Sequence, residues 1–421
     1  MSRREPDDAR LIFAAQGLRA FGYGFGAVLL GLTLKQRGYS PTIAGAVLTM
    51  VVAGTVLASV WLSRYADRVG RRRCYVAMYL LLAAVGIVFA ASAPLWVLFL
   101  ASLTGALSTE VVESGPFTTL EQPMLATLQP AGRQVGGFGR YNAVATVCGS
   151  LGALAAAVPG ALHRWWHGAP GADRYFLVFV PVALAGAVVA ARLSPAVEAA
   201  PTSPSGPRAR PVERSRTVVW RLCGLFAVDS LGGGFVIQTF VAYWLATRFG
   251  ASAGVIGLIF FAAGLLQAAS FLAAVWLGNR FGLLRTMVFT HLPSNVLLAA
   301  VAFAPTIGWA AGLWLARVSL SQMDIPARQA YVMALVDPQE QTGAAAYTNT
   351  ARYVTRPLGP LLAGASQSVA LGLPFLLAGL IKCGYDAALW LWFRHVPLPV
   401  SRVDKQSDPR VSADAGRKEA R

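Results

Sequence analysis

Long apolar stretches of near-membrane length alternate along the chain with short polar turns. A helix needs about 20 mostly apolar residues to cross the bilayer core, and the pattern predicts twelve such spans. The first six lie at 11–34, 42–62, 74–92, 95–115, 138–162 and 175–193. The second six lie at 219–246, 254–277, 286–305, 308–334, 343–369 and 372–394. Between the sets, residues 194–217 are rich in Pro, Ser and Arg and lack periodicity, as a flexible linker does. The predicted organisation is a six-helix bundle over 1–193, a cytoplasmic linker over 194–217, a second six-helix bundle over 218–395, and a disordered cytoplasmic tail over 396–421. The class is all-α, integral to a membrane.

Composition sharpens this picture. The chain is 56% hydrophobic and only 13% charged, against roughly 25% charge in soluble domains. A net charge of +17 raises the question of nucleic acid. The arginines gather instead in turns on one side, as in the cytoplasmic loops of membrane proteins, so no nucleic-acid partner is expected. With both termini inside, only Lys35, Arg37, Arg164, Arg174 and Arg248 fall in external loops. The expectation is a multi-pass protein of the plasma or inner membrane with both ends cytoplasmic. The first apolar run carries Gln16 and Arg19 and no clear cleavage site, so it reads as a retained helix. Cys74, Cys148, Cys223 and Cys383 are scattered and no C-x-x-C occurs, which gives no support to a disulfide framework or a metal site. No G-x-x-x-x-G-K-[ST] is present, and no nucleophile–base pair is visible. Neither an ATP-driven pump nor an enzyme is expected, and no cofactor.

The turn between the second and third spans, S-R-Y-A-D-R-V-G-R-R-R from Ser63, packs one acid among five arginines that include Arg73. Shifting the chain by 212 positions pairs Gly38 with Gly250, Gly45 with Gly257, Arg68 with Arg280, Gly70 with Gly282, and Arg73 with Arg285. A shift of 208 pairs Pro130 with Pro338. The two halves therefore repeat in the same orientation, related by an axis along the membrane normal. The turn resembles the signature of the major facilitator superfamily, G-x-L-x-D-R-x-G-R-R-x, with Asp67, Arg68, Gly70, Arg71 and Arg72 matching. Ser63 departs from the usual Gly, and the second copy has Asn279 in place of the acid. The resemblance implies two pseudo-symmetric six-helix bundles and alternating access. It also implies that Asp67 latches the first half to the eleventh helix; pairing with Arg64 or Arg71 is the local alternative. The stretch from Ser319 and the one from Asp229 resemble a bacterial subgroup often placed with drug-efflux permeases. The antiporter signature expected in the fifth helix is absent, and a partial version, "GPLLAG", starts at Gly359.

In that fold the first, fourth, seventh and tenth helices line the central cavity. Charge inside a membrane costs about 3 kcal/mol on insertion scales, so it faces a partner or a wet cavity. The first span carries Arg19 with Gln16 and Tyr23; the fourth carries Glu110 and Glu113. Asp229 and Gln238 are on the seventh, and Arg317, Asp324 and Arg328 on the tenth. At 1.5 Å per residue, Asp229 lies about 15 Å into its span, with Arg317 similarly deep. Arg19, Asp229 and Arg317 are the leading candidates for solute or proton coupling; Arg19 with Asp229 could equally form a structural ion pair. Glu113 and Arg328 fall near the cytoplasmic ends, where gating is expected. Asp324 with Arg328, and Lys382 with Asp386, are four apart and predicted to pair locally. Arg352 and Arg356 face either the cavity or Asp67. The expected function is secondary transport of a small organic solute, proton-coupled and outward. Uptake by symport is the alternative, and a non-transporting receptor or scaffold is the rival of another class. The expected partners are the solute, protons and the lipid bilayer, with the protein a monomer.

Overall fold

Apolar runs this long satisfy their own backbone hydrogen bonds by coiling, the one open-ended arrangement that lipid allows. The computed structural model describes residues 5–91, 93–108, 110, 115–128, 134–166, 168, 170–198, 212–337 and 340–396, which are mostly α-helical. The first half holds α1 (Glu5–Gln36), α2 (Pro41–Val69), α3 (Arg71–Ala90), α4 (Leu95–Leu103), α5 (Pro116–Thr127), α6 (Gln134–Ala155), α7 (Val158–Trp165) and α8 (Phe179–Ala191). The second holds α9 (Arg216–Gly234), α10 (Gln238–Phe249), α11 (Ala253–Phe281), α12 (Leu283–Val301), α13 (Ile307–Ser321), α14 (Asp324–Leu335), α15 (Gln341–Thr355), α16 (Leu358–Val369) and α17 (Leu373–Phe393). Glu113, Pro130, Pro338, the centre of the linker at 199–211 and the tail from 397 lie outside the described residues.

Polarity is inverted relative to a soluble domain. Trp96, Leu258, Phe289 and Leu380 point outward, while Arg19, Glu121, Asp229 and Asp386 are buried. Among the described residues, eight helical runs are long and apolar enough to cross a membrane. The fourth, tenth and eleventh predicted spans are instead divided, and the ninth carries His291 and Asn295; the seventh is also broken after Gly234 yet counts among the eight as one run. The span predicted over 95–115 is corrected here. Its helix stops at Leu103, and Pro116, set at the first helical turn where its missing N–H does no harm, opens the second piece.

The repeat is legible in the backbone. α2 and α11 run between equivalent positions, 212 apart, and Ser40 and Ser252 cap them alike. Gly38 and Gly250 have φ of 69° and 64°; Gly70 and Gly282 have 105° and 87°. Positive φ is what a residue with a Cβ adopts only under strain. The third matched pair joins the halves. Gly45 of α2 presses on Pro360 of α16, and Gly257 of α11 presses on Ala153 of α6, so that a Cβ on either would strike a carbonyl oxygen of the other half. Gly31 of α1 meets α10 in the same way, and Tyr243 Oη donates to the Tyr39 carbonyl at 3.0 Å. The halves therefore touch at the end where α1 leads into α2.

At the opposite end, carboxylates hold helix N-termini, where unpaired N–H groups favour negative charge. Glu198 accepts from the N–H groups of Arg71 (2.6 Å) and Arg72 (3.2 Å) at the start of α3. Glu340 accepts from Glu213 and Arg214 (2.8 Å each) and Ser215 (2.9 Å) ahead of α9. The predicted linker thus gives up its last residues to α9, which starts at Arg216. Desolvation works against the Glu340 carboxylate, and the backbone donors prevail, holding its pKa at about 2. Such a group stabilises the fold fully above its unfolded value of about 4.3 and loses that contribution as pH falls towards about 2. Glu340→Ala is therefore expected to lower the melting temperature at pH 7. The gap from the parent chain should narrow as pH drops below about 4 in a thermal scan.

Candidate functional site

Four of the predicted spans are interrupted near the middle of their length. α4 gives way to α5 around Glu110, α9 to α10 after Gly234, α13 to α14 ahead of Asp324, and α15 to α16 beside Arg356. Gly234 and Gly359 meet at the second and fourth of these breaks, where a Cβ on Gly234 would lie 2.5 Å from the Arg356 carbonyl. The interruptions surround one cavity of about 230 Å³, lined by residues of both halves. Interrupted helices free backbone polar groups, which membrane proteins tolerate where the chain lines a cavity.

Asp229 organises the charge there. Its carboxylate is ion-paired with Lys382 Nζ and lies 3.4 Å from Arg328 Nη1 and 3.9 Å from His291 Nε2. Arg328 also reaches Asp324 at 3.2 Å. His291 Nδ1 is 2.8 Å from Asp386 Oδ1, and Asn295 donates to the other Asp386 oxygen at 2.8 Å. All seven side chains are nearly inaccessible. The imidazole thus stands between two carboxylates, one facing the cavity and one sealed behind it.

Glu110 ion-pairs with Arg356, joining the halves across the cavity. Arg352 and Gln238 also line it. Arg317 lines it too, its guanidinium 4.8 Å above the Trp314 ring. Among the described residues Arg317 has no ion-pair or hydrogen-bond partner, and its Nε is buried without an acceptor.

Several expectations change. Lys382 and Asp386 do not neutralise each other: both face inward from α17, and Asp229 and His291 are the nearer partners. Arg328 sits in the cavity rather than at a cytoplasmic end. Arg19 does not pair with Asp229. It lies wholly inside the first half, 2.7 Å from Glu121 of α5, beside Gln16 and over the rings of Tyr23 and Phe117. Tyr75 and Tyr141 donate to Glu121, and Tyr23 donates to the Ala106 carbonyl at 2.7 Å. Asp67, largely exposed, pairs with Arg71 at 2.7 Å and does not reach the eleventh span in this state. Glu121, His291 and Asn295 fall outside the sequence-based expectations. The i, i+4 polar pair in an otherwise apolar ninth span is the signal that marks the last two.

A model of the Major Facilitator Superfamily matches residues 12–245. The chain is 26% identical, over 94% of its length and 96% of the relative's, to the uncharacterized membrane protein YJR124C of Saccharomyces cerevisiae. Among solved structures, a bacterial homolog of the human lysosomal transporter Spinster, inward-facing and occupied, superposes with a TM-score of 0.71 at 14% identity, covering 94% of this chain and 98% of that one. A mutant of the nucleoside transporter NupG gives 0.70 at 14% identity, covering 92% and 99%. Likeness at that identity concerns the fold.

Proposed function

The chain belongs to the Major Facilitator Superfamily, and we propose that it moves a small solute across the membrane by alternating access, coupled to protons. The observation that carries this reading is the shared cavity: interrupted helices of both halves meet there, and Glu110 of one half pairs with Arg356 of the other across it. We read the helical runs as twelve crossings and the two sets, 1–193 and 218–395, as bundles that rock about this site. With both termini cytoplasmic, the contacts at Gly45 and Gly257 close the external end. The state is then inward-facing, like the occupied Spinster homolog. Asp67 in this reading latches the cytoplasmic end only when that end is shut, and its pairing with Arg71 is the released form.

Asp229, His291 and Asp386 form the coupling element. A proton on this chain changes how strongly Lys382 and Arg328 are held, and so changes the charge the cavity presents to the solute. Outward transport in exchange for protons is the direction proposed. Exchange acidifies the compartment that loses solute; symport acidifies the one that gains it. Asp229→Asn is expected to abolish pH-driven solute flux in proteoliposomes while leaving equilibrium exchange measurable. Full pH-driven flux in that variant would remove Asp229 from the coupling role.

A further inference from the structure

Within the proposed transport site the cations are matched unevenly. Lys382 and Arg328 share Asp229, Arg328 also holds Asp324, and Arg356 holds Glu110. Arg317 is in ion-pair contact with no acid among the described residues, although Asp229 and Asp324 act on it from farther off. Among the described residues the cavity wall carries Arg317, Arg328, Arg352, Arg356 and Lys382 against Glu110, Asp229 and Asp324. With Asp386, sealed behind His291, the described residues there number five cations to four acids.

An excess cation taken out of water is costly unless an anion comes to meet it. Arg317 is also built to receive one. Trp314 lies beneath it, its ring centroid 4.8 Å from the guanidinium carbon, close enough for a cation–π contact. Four residues on, Ser321 faces the same cavity with its Oγ buried and unpartnered among the described residues. The planar fork of an arginine matches the paired oxygens of a carboxylate or a phosphate, and a hydroxyl one turn away supplies a further donor. The volume of about 230 Å³ suits a small solute.

We propose that the solute is a small organic anion, a carboxylate or a phosphate ester, whose charge is met by Arg317 with Ser321 beside it. The proposal deepens the transport reading and rests on the cavity being its site.

Cavity charge can be read without knowing the solute. Ser321→Cys is placed in a full-length chain whose four native cysteines are alanine. Two methanethiosulfonate reagents are compared, one bearing a sulfonate and one a trimethylammonium, each rate being divided by its rate with free 2-mercaptoethanol. The anionic reagent is expected to be favoured about tenfold, since one unit charge several ångströms away acts oppositely on the two. Arg317→Gln should erase most of that preference and Arg317→Lys should keep it. Millimolar acetate or inorganic phosphate should slow labelling, and the more effective of the two assigns the carboxylate or the phosphate class. A preference for the cationic reagent, no effect of Arg317→Gln, or protection by neither anion overturns the proposal. Labelling needs no transport. A chain that favours the anionic reagent yet moves no solute would contradict the transport reading alone.

Discussion

Glu121→Leu is expected to lower the stability of the folded chain by about 3–5 kcal/mol, because it leaves Arg19 as an unpaired charge in a sealed interior. In detergent the melting temperature should fall by roughly 10 °C. The phenols of Tyr75 and Tyr141 lose their acceptor at the same time. Replacing both partners, Arg19→Met with Glu121→Leu, should recover most of the loss, since an apolar pair of similar size avoids the desolvation that two buried charges suffer. The double variant should also retain solute flux, because Arg19 and Glu121 face each other inside the first half and neither lines the central cavity. A double variant that is stable but inactive would return Arg19 to the transport machinery.

Gly45→Val should have the largest effect on conformation. The added side chain would strike the Pro360 carbonyl and force apart the contact between α2 and α16. Gly257→Val does the same between α11 and α6, on the Ala153 carbonyl. The closed end should then open in most molecules, a shift of more than tenfold in population. Spin labels at Thr42 and Ser368, both exposed and flanking the contact, read it as a longer distance. An unchanged distance in both variants would mean that these contacts do not hold that end.

The glycines that carry this prediction are visible as a repeat in the sequence alone. A residue type repeats at a fixed shift when the backbone needs it, and Gly38 with Gly250 and Gly70 with Gly282 adopt the same positive φ in both copies. The charges of the seventh and tenth spans are legible for a related reason: Asp229, Arg317, Asp324 and Arg328 interrupt apolar runs that have no use for them unless a cavity is near. Partners are harder to read. Hydropathy carries the fourth span through Glu110 without a pause, so it hides the break and leaves Glu121 in a loop. Spacing places Lys382 and Asp386 on one face of α17. Facing the same way also exposes both to α9 and α12, and the cross-helix partners are the closer ones. His291 and Asn295 escape a reading that ranks candidates by formal charge, whereas a buried imidazole between two carboxylates matters whatever its proton count.

Alternating access is tested most directly by two distances measured in the same bilayer. One label pair, Thr42 with Ser368, spans the closed end; the other, Thr127 on α5 with Gln329 on α14, spans the opposite end. Pulsed electron–electron resonance in nanodiscs should show two populations for each pair. The short distance of one pair should go with the long distance of the other, and Gly45→Val should move both weights in opposite senses. Distances that stay single, or that lengthen together at both ends, would contradict a transporter whose halves rock about the Asp229 site.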